Sequence, residues 1–240
     1  VLPTSAWGEK DGTYTSTERR VQRIRKAVDA PGHARHDWEV LGLLAARLGT
    51  NWHYTCAKDI MEEINSVTAS YKGITYERIE ETGLHWPCPT PEHPGTPILH
   101  TAGFTRGKGL FCVTEYLPAA EQPDQDYPFI LTTGRILYQY HTATMSRRSQ
   151  GLVSRTPAAF VEINPLDASR LGIENGADVE VSSRRGSIRL SAEVTERVEP
   201  GVLFIPFHYS EAAVNKLTIA AIDPTANIPE FKVCAANIRA

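Results

Sequence analysis

The sequence predicts an α+β protein, with a mainly helical first part followed by a closed β-barrel. Three observations carry that expectation. Apolar residues recur at helical spacing early in the chain, as in HDWEVLGLLAARLG and AKDIMEEINSV. A proline-dense stretch, WPCPTPEHPGTP, then excludes regular helix and central strand. From Tyr127 onward, short apolar runs return at near-regular spacing with one or two small helices between them, as in a sheet that closes on itself.

Taken in order, Thr15, Ser16 and Thr17 offer N-caps to a helix over ERRVQRIRKAV. Trp38, Leu41, Leu44, Ala45 and Leu48 form one stripe of a second helix, with Gly49 as its stop. Ile60, Ile64 and Val67 repeat the pattern, and a shorter helix is expected from Thr75 to Glu81. One apolar stripe per helix implies a shared core. After the prolines a hairpin is expected, turning at Thr105–Gly109 with Leu110–Tyr116 as its second strand. The barrel strands are expected in FILTT, AFVEI, ADVEVSS, SIRLSAEV, GVLFIPF and KVCAANI. Arg184-Arg185-Gly186 reads as a tight hairpin, and PLDASRLGI as a short helix begun by Pro165 and ended by Gly172. The expected division is a helical segment over 1–86, a proline-rich connector and hairpin over 87–126, and the barrel over 127–240.

Charge excludes some partners. Lys and Arg number 25 against 28 Asp and Glu, a formal charge of −3, so no general electrostatic attraction to nucleic acid or membrane is expected. No apolar run approaches the roughly 20 residues of a membrane span. Cys56, Cys88, Cys112 and Cys234 lie far apart with no C-x-x-C pair, a spacing unlike zinc or iron–sulfur ligand runs; buried free thiols are the expectation. The basic run Arg19, Arg20, Arg23, Arg25 and Lys26 reads as a solvated or carboxylate-paired face. The chain starts at Val1, and its opening VLPTSAWGEKDGTYT reads as the interior of a longer protein.

The richest chemistry lies in TTGRILYQYHTATMSRRSQ, Thr132 to Gln150, directly after an apolar run. Glycine admits close backbone approach, and threonine hydroxyls and an arginine fork suit phosphate oxygens. Gln139, Tyr140 and His141 can address a heterocycle. That inventory fits a large anionic cofactor such as a dinucleotide. No nucleophile–base set accompanies it, so no catalytic residue is assigned.

Four ordered motifs extend this reading: TGR-x4-YHT-x-x-MSRR, INPLDASRLGIENGADVEVSSRRG, VEPGVLFIPFHYSEAAVNKLT and DPTANIPEFKVCAANI. With them the C-terminal half resembles the molybdopterin-dinucleotide-binding domain of the molybdenum and tungsten oxidoreductases, among them formate dehydrogenases, nitrate reductases and dimethyl sulfoxide reductases. The segment from Gly8 to Gly49 and the connector WPCPTPEHPGTPILHTAGFTRGKGLF resemble parts of formate dehydrogenase α subunits. The resemblance implies a six-stranded double-psi β-barrel, and for residues 1–86 part of a larger molybdopterin oxidoreductase domain. It implies a bis-molybdopterin guanine dinucleotide cofactor carrying Mo or W, shared with further domains. An iron–sulfur cluster, the metal ligand and catalytic neighbours would lie on other polypeptide. The implied partners are the rest of an α subunit and iron–sulfur electron-transfer subunits. Thr133, Gly134 and Thr142 would take phosphate or backbone contacts, Arg135 a charge-assisted bond, and Gln139 and His141 pterin or dithiolene edges, with Tyr140 beside them. Phe207 would cover a ring, Asn215 would read a pterin or guanine edge, and Lys232 would bring a point charge. Formate oxidation is the implied reaction. A nitrate reductase of the same family, or a separate cofactor-binding or assembly subunit without catalysis, stands as the alternative.

Overall fold

The computed structural model describes all 240 residues. They form two compact units, Val1–Cys112 and Val113–Ala240, each with its own apolar core.

In the first unit, β1 (Gly12–Thr15), β2 (Arg20–Ile24) and β3 (Leu84–His85) make a three-stranded antiparallel sheet. Two helices accompany it, α1 (Asp37–Arg47) and α2 (Ala57–Val67). Here ERRVQRIRKAV departs from its expected helix. Strand pairing on both sides satisfies the backbone of β2, and Val21 enters the core with Met61, Ile74, Tyr76, Ile79 and Cys88. Tertiary pairing overrides a weak local preference. Three arginines of the run meet carboxylates, Arg20 with Glu18 and Arg23 and Arg25 with Glu80, while Arg19 donates to the carbonyls of Trp86, Thr96 and Pro97.

The segment expected as a helix from Thr75 to Glu81 is a series of turns. Its Tyr76 and Ile79 are buried, and Arg78 ties it down by donating to the carbonyls of Gly73 (2.5 Å) and His93 (2.7 Å), contacts that hold the backbone in turns. The stripes of α1 and α2 are mostly exposed. Ala45 alone is buried on α1, and on α2 the buried residue is Met61, outside the expected stripe. The expected hairpin reduces to one bridge between Phe104 and Gly107, and Leu110–Tyr116 forms no strand. Strand-favouring side chains permit a strand, but a partner backbone must exist to complete it. Cys56 and Cys112 are exposed, against expectation, while Cys88 and Cys234 are buried; all four are free thiols. No helix of either unit is long and apolar enough to cross a membrane.

The second unit contains β4 (Phe129–Gly134), α3 (Gln150–Val153), β5 (Phe160–Ile163), α4 (Pro165–Leu171), β6 (Asp178–Ser183), β7 (Gly186–Val194), β8 (Val202–Pro206) and β9 (Cys234–Arg239). The six strands close in the order β4-β8-β5-β7-β6-β9, the closed barrel the sequence predicts. The pairs β4/β8 and β5/β7 are parallel and the other four antiparallel. Period-2 alternation fills the interior: Phe129 and Leu131 from β4, Val179 and Val181 from β6, Ile188 and Leu190 from β7, Leu203 and Ile205 from β8. Closure leaves no unpaired edge.

The connecting devices are local. Arg184 and Arg185 form the two-residue turn between β6 and β7. Asn164 caps α4 by accepting from the Leu166 N–H at 3.0 Å, Pro165 follows it, and Gly172 ends the helix at φ 68°. Ahead of β4, Glu121 is held against the barrel by Arg185 (2.7 Å), Arg184 (2.8 Å) and the Ala235 N–H (2.9 Å).

Candidate functional site

A cavity of about 530 Å³ lies beside the C-terminal end of β4, lined by Thr133, Arg135, His141, Thr142, Phe207, Asn215, Phe231 and Lys232. Three segments distant in sequence converge there because β4 pairs with both β8 and β9. The β4 exit delivers Thr133 to Thr142, the β8 exit delivers Phe207 and Asn215, and the approach to β9 delivers Phe231 and Lys232.

The wall is knitted by three hydrogen bonds. The Thr133 hydroxyl donates to the Phe231 carbonyl at 2.8 Å, Lys232 Nζ donates to the Thr133 carbonyl at 2.6 Å, and the Phe207 N–H donates to the Gly134 carbonyl at 3.1 Å. The His141 and Phe207 rings meet edge to face with centroids 5.7 Å apart. Arg135 meets no carboxylate, whereas Arg147, Arg184, Arg185, Arg189 and Arg197 of the same unit each do. An arginine fork, an ammonium group, an amide and two aromatic faces around one hollow can hold a planar heterocycle and an attached anion.

Seven of the expected site residues, Thr133, Arg135, His141, Thr142, Phe207, Asn215 and Lys232, share this cavity. Three do not line it. Gly134 is buried in the ladder, and a Cβ there would stand 2.5 Å from Phe204 Cε2, so its bareness serves packing against the neighbouring strand. Gln139 is 5% exposed and spends its amide internally, accepting from Ser146 Oγ at 2.7 Å. Tyr140 points away and is 72% exposed. The Thr133 hydroxyl is also committed to a carbonyl, which removes it as a free donor.

Sequence reasoning missed Phe231. Its signal was its place beside Lys232 inside the PEFK motif. A second, more open cavity of about 1090 Å³ lies on the outer side of β4 and β5, and Arg135 borders both hollows. No cluster of three His, Cys, Asp or Glu side chains is arranged to hold a metal ion.

The group expected here fits the residues present. The loop after β4 holds His141 and Ala143 in left-handed backbone, at φ 51° and 60°, a conformation uncommon outside glycine. It thereby presents His141 and Thr142 to the hollow, next to an unpaired guanidinium.

Comparison with known proteins bears on the same region. Residues 129–235 match the molydopterin dinucleotide binding domain, a span that contains every residue lining the smaller cavity. Residues 1–47 match the molybdopterin oxidoreductase family. The chain is 52% identical over 242 residues to the F420-dependent formate dehydrogenase subunit alpha of Methanocaldococcus jannaschii, covering 99% of this chain and 36% of that protein. It is 47% identical to the F420-dependent formate dehydrogenase 1 subunit alpha of Methanococcus maripaludis, with the same coverage. The assimilatory nitrate reductase catalytic subunit of Bacillus subtilis is 38% identical over 99% of this chain and 35% of that protein. The chain thus spans about a third of the length of these relatives. Among solved structures, acetylene hydratase from Pelobacter acetylenicus superposes with a TM-score of 0.71 at 17% identity, over all of this chain and 38% of that one. That likeness speaks to the fold alone.

Proposed function

Because this chain belongs to the molybdopterin oxidoreductases, we propose that its barrel seats one guanine dinucleotide of a bis-molybdopterin cofactor in a formate dehydrogenase α subunit. The observation that carries this reading is the meeting of Arg135, His141, Thr142, Phe207, Asn215 and Lys232 around one hollow. When bound, the cofactor's metal, Mo or W, supplies the two-electron redox chemistry that would interconvert formate and carbon dioxide. The chain's own residues bind and orient. Arg135 offers a bidentate fork to phosphate oxygens, and Lys232, anchored on the Thr133 carbonyl, sets a positive charge against the wall. Phe207 and Phe231 exclude water from a ring face, which strengthens the polar contacts beside it. Asn215 donates and accepts at a heterocycle edge. Holding the cofactor's far end fixes the orientation of its reactive end.

Formate is favoured over nitrate by the fall in identity from 52% to 38% between the two kinds of relative. On this reading the metal ligand, the iron–sulfur cluster and the contacts to electron-transfer subunits lie on other polypeptide, and the 240-residue chain alone oxidises no formate.

The test uses guanosine diphosphate as the probe, titrated calorimetrically into the 240-residue chain. Arg135→Ala and Asn215→Ala are each expected to weaken binding about tenfold or more, the scale of one lost hydrogen bond. Arg189→Ala, which removes an exposed pair with Asp178, leaves it unchanged. Equal affinity across all variants, or no binding by the wild-type chain, overturns the reading, and so does formate turnover by the purified chain.

A further inference from the structure

We infer that Gln139 and Ser146 form a buried latch that holds His141 and Thr142 in place, making them positioning residues that touch no ligand. The inference rests on the cofactor reading above for its purpose, and on geometry of its own for its existence. The loop between them carries two left-handed residues, His141 and Ala143, on either side of Thr142. Neither is glycine, so the surrounding structure must impose the conformation.

Ser146 Oγ imposes it at the centre. It accepts the Tyr140 N–H at 2.9 Å and donates to Gln139 Oε1 at 2.7 Å, which closes the loop on itself. The Gln139 Nε2 reaches Thr156 Oγ1 at 3.5 Å. The carbonyl of Thr156 accepts from the Tyr209 hydroxyl at 3.1 Å, and Tyr209 is fully buried in the barrel core. Backbone bonds add the rest: the Ala143 N–H donates to Tyr140 at 2.8 Å and the Arg147 N–H to Ala143 at 2.9 Å. Gln139 is 5% and Ser146 8% exposed, so water does not compete for these bonds. Through this chain the barrel core fixes a surface loop, and only His141 and Thr142 emerge into the hollow. The residue at 139 therefore acts by amide geometry in the second rank behind the cavity wall.

The experiment compares wild type, Ser146→Ala, Ser146→Thr and Gln139→Leu in the 240-residue chain, by amide hydrogen exchange and by calorimetric titration with guanosine diphosphate. In Ser146→Ala the Tyr140 amide is expected to exchange at least about tenfold faster and affinity to fall about tenfold, with the melting temperature lowered by no more than about 4 °C. Ser146→Thr keeps the hydroxyl and restores both. Gln139→Leu repeats the loss and guards against a folding defect peculiar to position 146. Unchanged Tyr140 exchange in Ser146→Ala overturns the latch, as does faster exchange with unchanged affinity. If the wild-type chain binds no probe while Ser146→Ala still frees the Tyr140 amide, the cofactor reading falls and the latch stands.

Discussion

Gly134 is bare because the ring of Phe204, which pairs with Thr132 on the neighbouring strand β8, fills the space a side chain would take. Gly134→Ala is expected to destabilise the barrel by about 1–3 kcal/mol, the cost of overpacking a close contact. Phe204→Leu in the same molecule should recover most of that loss, as chemical denaturation of the single and double variants would measure. Charge is also decided residue by residue. Glu121 accepts from Arg185, and its side chain is 10% exposed; that bond, with the Ala235 N–H and Arg184, lowers its pKa to about 2. A depressed carboxylate contributes stability above its unfolded pKa and loses it as pH falls through the folded one. The loss therefore spans from about pH 4.5 to about pH 2, and amounts to about 3 kcal/mol. Glu121→Gln should remove that part of the pH dependence of unfolding. Glu162 runs the other way. Burial pushes its carboxyl up despite Arg197 at 2.9 Å, so desolvation outweighs the ion pair. Glu162→Gln is accordingly expected to be neutral or stabilising at pH 7, a result opposite in sign to that at Glu121.

At the scale of elements, local signals succeed where the element satisfies itself. The helix α4 carries its own cap, N1 proline and C′ glycine, and Asn164 does two tasks at once. It caps the Leu166 N–H and donates Nδ2 to the buried Val198 carbonyl at 2.8 Å. Asn164→Ala should cost about 2–3 kcal/mol, more than an ordinary cap, because a buried carbonyl is orphaned as well; Asn164→Asp should recover the cap and not the donor. Signals fail where the element depends on a neighbour. ERRVQRIRKAV presents Val21, Ile24 and Val28 at helical spacing, yet β1 and β3 supply ladder partners and the segment pairs as β2. Leu110–Tyr116 carries a run of strand-favouring residues and pairs with nothing.

At the scale of the whole molecule, two cores imply two cooperative units. Calorimetry of the 240-residue chain should resolve two unfolding transitions, and residues 113–240 expressed alone should keep the barrel's spectroscopic signature and its guanosine diphosphate binding. A single transition lost entirely on that truncation would refute the independence. The six strands, the α4 helix and the Arg184-Arg185 turn were readable from the sequence, because period-2 alternation and turn chemistry act over a few neighbouring residues. So was the identity of most residues around the hollow, through motifs that resemble a known family. What only the tertiary structure decided was which of those motif residues face the hollow and which stand behind it. Gly134 yields to Phe204, and Gln139 turns inward to Ser146. Sequence order states which side chains are available; the direction each one takes is set by partners many residues away, through strand closure and buried hydrogen bonds that no local pattern encodes.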